Sequence, residues 1–136
     1  MARRRERLSA DSFDRIAAAA LSFAGVEIAT KYDGSPLLRV RGCFMAAIAT
    51  HPSAQPGTLV VRMALDDREA LLEDAPETYY LTDYYRRYPL VLARLSQIDD
   101  AALRDLLTMS WRLTLSKART NAPAHAVRRE RRAARR

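Results

Sequence analysis

The chain is poor in cysteine, histidine, glycine and lysine, and each shortage removes a class of function. One cysteine, Cys43, stands among 136 residues. That excludes a disulfide scaffold and a cysteine metal cluster, and it fits a reducing, cytoplasmic setting. The two histidines, His51 in a proline-flanked loop and His125 near the C-terminus, have no metal-ligand spacing. The four glycines form no dinucleotide fingerprint and no P-loop, and there is no G-x-S-x-G elbow. Apolar runs stay well below the roughly 18 to 20 residues of a membrane span. The N-terminal MARRRERLSADSF is basic but has no apolar segment behind it, so neither a secretory signal nor a membrane partner is expected.

Positive charge is abundant but unevenly placed. The formal net charge is +7. Residues 1–7 carry +3 and residues 117–136 carry +7, whereas residues 8–116 hold 11 basic against 14 acidic side chains, a balance of −3. The body is mildly acidic and the basicity lies in two tails, which argues against a domain that is itself one basic footprint for DNA. Only two of the 23 basic residues, Lys31 and Lys117, are lysines.

The length suits a single domain with one modest core. Ser9 can cap a helix over about 10–23, with Leu8 and Phe13 as a staple. Its stripe is Phe13, Ile16, Ala17, Ala20 and Leu21, and Gly25 is its stop. Strand patterns follow at Val26–Tyr32, Leu37–Arg41, Cys43–Ala49 and Thr58–Leu65. They are separated by Asp33-Gly34-Ser35-Pro36, by Gly42 and by the loop from His51 to Gly57, and they read as an antiparallel meander. Asp66 with Glu69 resembles a capping box for a short helix over about 67–75. Two more strands, Tyr79–Thr82 and Leu90–Leu95, flank a Tyr/Arg-rich connection. Asp99 then caps a third helix whose inner face is Leu103, Leu106, Leu107, Ser110 and Trp111. The order α-β-β-β-β-α-β-β-α implies an α+β two-layer sandwich with the helices on one side of an antiparallel sheet. The expected organisation is a basic tail over 1–9, one domain over 10–118, and an Arg-rich, disordered tail over 119–136.

Several segments, in this order, resemble the MmcQ/YjbR-like family: LSFAGVE at 21–27, PLLRVRG at 36–42, VRMALDDREALL at 61–72, PETYYLT at 76–82, YPLVLARL at 88–95, and Ser110-Trp111-Arg112. The resemblance spans roughly residues 10–118. It implies a compact α/β sandwich grouped with CyaY-like and secretion-chaperone-like folds, and a DNA-binding role through a double-wing arrangement of strands. The chain departs from the family at Asp83, where a histidine often precedes the tyrosine.

No enzyme is expected. Cys43 sits in an apolar strand, where a buried, inert thiol is the expected state. The pairs Asp66-Asp67 and Asp99-Asp100 lie at helix starts, where they complement the helix dipole. No cofactor and no metal are expected. Strand parity puts Lys31, Arg39, Arg41, Arg62 and Arg94 opposite the apolar positions of their strands. On a sheet face left open by the helices they would meet DNA phosphates, with Arg86 and Arg87 at the rim and the tails adding non-specific affinity. With no base-reading helix, little sequence specificity is expected. The competing reading makes these residues solvated strand positions paired with Asp and Glu. The tyrosines from Tyr84 to Tyr88 could stack bases, but packing and loop anchoring suit them as well. The alternative function is a protein-interaction or chaperone-like module that binds a peptide, or a second copy of itself, through the same sheet.

Overall fold

The computed structural model describes residues 13–134, with side chains through 118. Six strands form one antiparallel sheet: β1 (Val26–Thr30), β2 (Pro36–Val40), β3 (Cys43–Ile48), β4 (Thr58–Arg62), β5 (Tyr79–Tyr80) and β6 (Leu90–Arg94). Their spatial order is β1-β2-β3-β4-β6-β5. The first four strands are the expected meander, and the last two pair with each other antiparallel. Helices α1 (described over 13–20), α2 (Leu65–Asp74) and α3 (Asp100–Ala134) complete the α+β fold. The arginines of the tails lie outside the described side chains.

One face of the sheet carries the main core. Leu38, Val40, Ile48, Leu59, Val61, Val91 and Ala93 project from alternate strand positions onto Phe13, Ile16 and Ala20 of α1 and Leu103, Leu106 and Leu107 of α3. The expected α1 stripe holds except for Leu21, which is 49% exposed because the helix ends at residue 20. Asp99 caps α3 as expected, its carboxylate accepting the Ala102 N–H at 2.7 Å. The expected capping box at Asp66 is not formed. Helix α2 begins two residues earlier, at Leu65, after Ala64, and Asp66 and Asp67 occupy its first turn, where they face the positive end of the dipole.

Two residues of the Ser110-Trp111-Arg112 segment tie α3 to the sheet. A bulge lies where the β2–β3 register slips between Leu38 and Arg39, so Met45 has no cross-strand partner there. The Met45 carbonyl, freed from the ladder, accepts the buried Ser110 hydroxyl at 3.2 Å. The Trp111 indole N–H donates to the Ala24 carbonyl at 2.8 Å and fixes the turn that leads into β1.

The opposite face is not open, which corrects the expectation of a bare basic surface. Val60, Leu90 and Leu92 on this face pack against Tyr85, with Phe44, Tyr80 and Tyr84 around them, as a second, smaller core. The lid is the segment between β5 and β6, which contains a single 3-10 turn, Tyr85–Arg87. Residues 82–89 fold back over the sheet because Leu90 and Leu92 leave apolar area on both faces of β6, and burying it stabilises by roughly 25 cal/mol per Å².

A candidate aromatic binding cleft

Between the lid and the two loops beside it lies a hollow of about 510 Å³. Its floor is the far face of the sheet: Phe44, Ala47, Val60 and Leu90. One wall is the β1–β2 turn with Lys31, Tyr32 and Asp33, a second is the β3–β4 loop with Thr50, His51 and Pro52, and the third is Tyr84, Tyr85 and Tyr88.

The third wall is held from behind. Arg68 of α2 is buried, and its Nη1 donates to the carbonyls of Tyr88 at 3.0 Å and of Arg86 and Leu90 at 3.4 Å. The guanidinium ties these three carbonyls together where the lid runs into β6. Its Nε has no hydrogen-bond partner. The Tyr85 ring is buried beneath the wall, and its hydroxyl accepts the His51 N–H at 3.3 Å. Burial pushes the Tyr85 phenol above its usual range, partly offset by that hydrogen bond.

His51 and Tyr84 lie face to face, 3.6 Å between centroids and 6° from parallel. The imidazole is held in one orientation because its Nδ1 accepts the Ser53 N–H at 3.1 Å, which puts the proton of the neutral ring on Nε2. Ser53 is tied in turn to Thr82 at 2.9 Å, hydroxyl to hydroxyl, so the loop wall and the lid wall are joined. Tyr88 tilts toward Tyr84 at 5.9 Å, the Arg87 guanidinium stands 5.8 Å from the Tyr84 ring, and Tyr32 is fully exposed at the opposite rim. In the turn, the Asp33 carboxylate accepts the Ser35 hydroxyl and N–H, which hold its pKa below the ordinary value. The cleft therefore carries a carboxylate beside Lys31, and it is an aromatic site with mixed charge rather than a cationic trench.

The structure scatters the expected phosphate-binding residues. Lys31 lies just beyond β1 and lines the cleft. Arg39 does project to the far face but is paired with Glu27 at 2.7 Å across the β1–β2 ladder. Arg62 turns its Nε onto the Phe44 carbonyl at 2.7 Å, at one end of the floor. Arg94 stands at the other end of β4–β6, opposite Thr58. Its guanidinium lies 4.1 Å over the Tyr80 ring and donates to Gln55 and to the carbonyls of Pro76 and Glu77. Arg41 is not a strand residue. With Gly42 it forms the two-residue turn between β2 and β3, both at positive φ, 49° and 83°. Arg86 and Arg87 are exposed on the 3-10 turn, beside the cleft rather than at the edge of an open sheet face.

Sequence reasoning missed His51 as a site residue, and missed the convergence of Tyr32, Tyr84 and Tyr88. Their spacing carries no motif, and only the folding-back of residues 82–89 brings them together. Packing and anchoring describes Tyr79, Tyr80 and Tyr85 correctly. The Tyr80 hydroxyl, for one, meets Thr58 at 2.6 Å and the Gln55 N–H at 2.9 Å. A second hollow of about 300 Å³ lies between α1 and α3, beside the Arg15–Asp100 ion pair at 3.0 Å. Arg15 also donates to the carbonyls of Leu95 and Ile98, so this guanidinium serves as a clamp between helix and loop. Among the described residues, no helix is long and apolar enough to cross a membrane.

A family model described as YjbR matches residues 21–113. An uncharacterised protein of Mycobacterium tuberculosis and one of Mycobacterium bovis are each 31% identical to this chain over 74 residues, which cover 52% of this chain and 57% of theirs. The chain thus spans little more than half the length of the curated relatives it matches. No solved structure matches.

Proposed function

The chain belongs to the YjbR family, and from that premise we propose that it is a non-enzymatic nucleic-acid-binding protein whose contact surface is the aromatic cleft. The observation that carries the reading is the exposed rings of Tyr32 and Tyr88, beside the one face of Tyr84 that His51 does not cover, with Lys31 in the cleft wall and Arg86 and Arg87 exposed on the neighbouring turn. Ring faces beside cations suit the bases and phosphates of a single strand, because stacking tolerates any base and phosphate contact fixes no sequence. The strand arginines contribute less than parity suggests, since Arg39, Arg62 and Arg94 already have protein partners. DNA is the ligand this reading favours, with little sequence specificity.

The test is fluorescence anisotropy of a labelled single-stranded oligonucleotide against salt. Tyr84→Ala should weaken binding by about 1–3 kcal/mol, roughly 5- to 150-fold, and leave the salt slope unchanged. Lys31→Ala should reduce the slope by about 0.7 whatever the tails add. Undiminished affinity in Tyr84→Ala would leave only tail electrostatics and overturn the reading. The apolar floor of Phe44, Ala47, Val60 and Leu90 favours a second reading, in which the cleft seats an apolar side chain of a peptide. Peptide binding that is insensitive to salt and not displaced by oligonucleotide would support that reading instead.

A further inference from the structure

The two edges of the sheet differ. β5 closes one edge with only two residues, Tyr79–Tyr80, which is a common way of blunting an edge. β1 ends the other edge with five regular residues, Val26–Thr30, free of proline and with Ile28 half-exposed.

The ladder shows which backbone groups β1 presents outward. Lys31 donates its N–H to the Ser35 carbonyl. The pairs Lys31/Ser35, Ala29/Leu37 and Glu27/Arg39 are therefore the hydrogen-bonded ones, and Thr30/Pro36, Ile28/Leu38 and Val26/Val40 are not. Pro36 confirms the phase, since it has no N–H to donate and sits in a non-bonded pair. The N–H and C=O groups of Ile28 and Thr30 thus point away from the sheet, while the Val26 N–H is taken by the Phe23 carbonyl. Among the described residues, nothing pairs with this edge.

We infer that β1 is the interface of a symmetric homodimer, in which two copies pair antiparallel about Ile28 and join their sheets. A two-fold axis through Ile28 places it opposite itself, so each copy donates the Ile28 N–H to the other's Ile28 carbonyl. Val26 then faces Thr30, and Glu27 faces Ala29, of the second copy. On the far face Glu27 has the second copy's Lys31 on one diagonal and the second copy's Glu27 on the other, and each Glu27 is already neutralised by Arg39 of its own chain. On the helix side the two Ile28 side chains cover each other. The self-complementary hydrogen bonding about Ile28, with its exposed side chain meeting its own copy on the axis, is what selects a second copy of this chain over an unrelated strand. The interface stands apart from the nucleic-acid reading and does not depend on it.

The experiment is the molar mass of the full chain by light scattering across a concentration series, with amide hydrogen exchange. The wild type should weigh twice its 15.4 kDa, and Ile28 and Thr30 amides should gain protection as concentration rises. Ile28→Lys places like charges on the axis and should halve the mass without altering the circular dichroism, and should remove any dependence of the melting temperature on concentration. Ile28→Pro removes the outward donor from a non-bonded position of the β1–β2 ladder and should act likewise. A wild type that stays monomeric, or a dimer that survives both substitutions, overturns the inference. So does protection of these amides independent of concentration, since that would mean residues 1–12 or another segment of the same chain covers the edge.

Discussion

At the scale of single residues, Arg41 shows how far a parity argument carries. Leu37 to Arg41 alternates apolar and basic, and alternation is the signature of a strand with one wet face. Arg39 obeys it, but Arg41 occupies the first central position of the turn, with φ at 49°. A two-residue hairpin whose central residues both have positive φ is a type I′ turn, which matches the twist of the strands and favours Asn-Gly. Gly42 meets that demand and Arg41 does not, since a side chain in the left-handed region costs roughly 1–2 kcal/mol that Asn largely avoids. Arg41→Asn should therefore stabilise the protein by about 1 kcal/mol. In urea the midpoint should rise with an unchanged slope, and an equal or lower midpoint would show that the Arg41 side chain makes a compensating contact.

At the scale of elements, local pattern served well for most segments. The α1 stripe and the Asp99 cap stand close to where the pattern puts them because each is local chemistry on one face, and the strands do because β-rich apolar runs, buried on both faces in β4 and β6, are bounded by turn residues. Helix α2 is harder to read. Its only buried residue is Arg68, which a hydrophobic pattern scores as solvent-facing, and its start is set by the chain leaving β4 rather than by a capping side chain. The cleft was illegible for a related reason. It is made by non-local contacts: Arg68 on the Tyr88 carbonyl, Ser53 on Thr82, and His51 on Tyr84. Each joins residues about 20 to 35 apart with no spacing rule between them. Arg68→Met keeps the apolar stem but abandons three carbonyls. It should cost about 1.5–3 kcal/mol and speed hydrogen exchange at Arg86, Tyr88 and Leu90, the amides of the lid. Exchange that stays slow there would show that the second core holds the lid unaided.

At the scale of the whole molecule, the sheet is one layer serving two cores, and each core holds a buried phenol. Tyr79 is covered on the helix side and Tyr85 on the cleft side. Both phenols are pushed above the ordinary value of 10.0, Tyr79 by burial and then by Asp99 and Asp105, Tyr85 by burial against the opposing His51 N–H. A phenol whose folded pKa lies above its unfolded one binds its proton more tightly when folded. Its contribution to stability is therefore complete below about pH 10 and is lost as the pH rises toward the folded value. The other groups that ionise near that window are the remaining four tyrosines, two lysines and one cysteine, so the two Phe variants isolate the buried phenols. Unfolding free energy should thus be level on the neutral side of pH 10 and fall above it. The stability lost in Tyr79→Phe or Tyr85→Phe, measured against wild type at each pH, should shrink through the same window, since phenylalanine has no proton to release. Because the two phenols report on opposite faces, unequal shrinkage in the two variants would identify which face raises its phenol more. A wild type whose stability does not change above pH 10 would mean that both phenols ionise in the folded state as readily as in the unfolded chain.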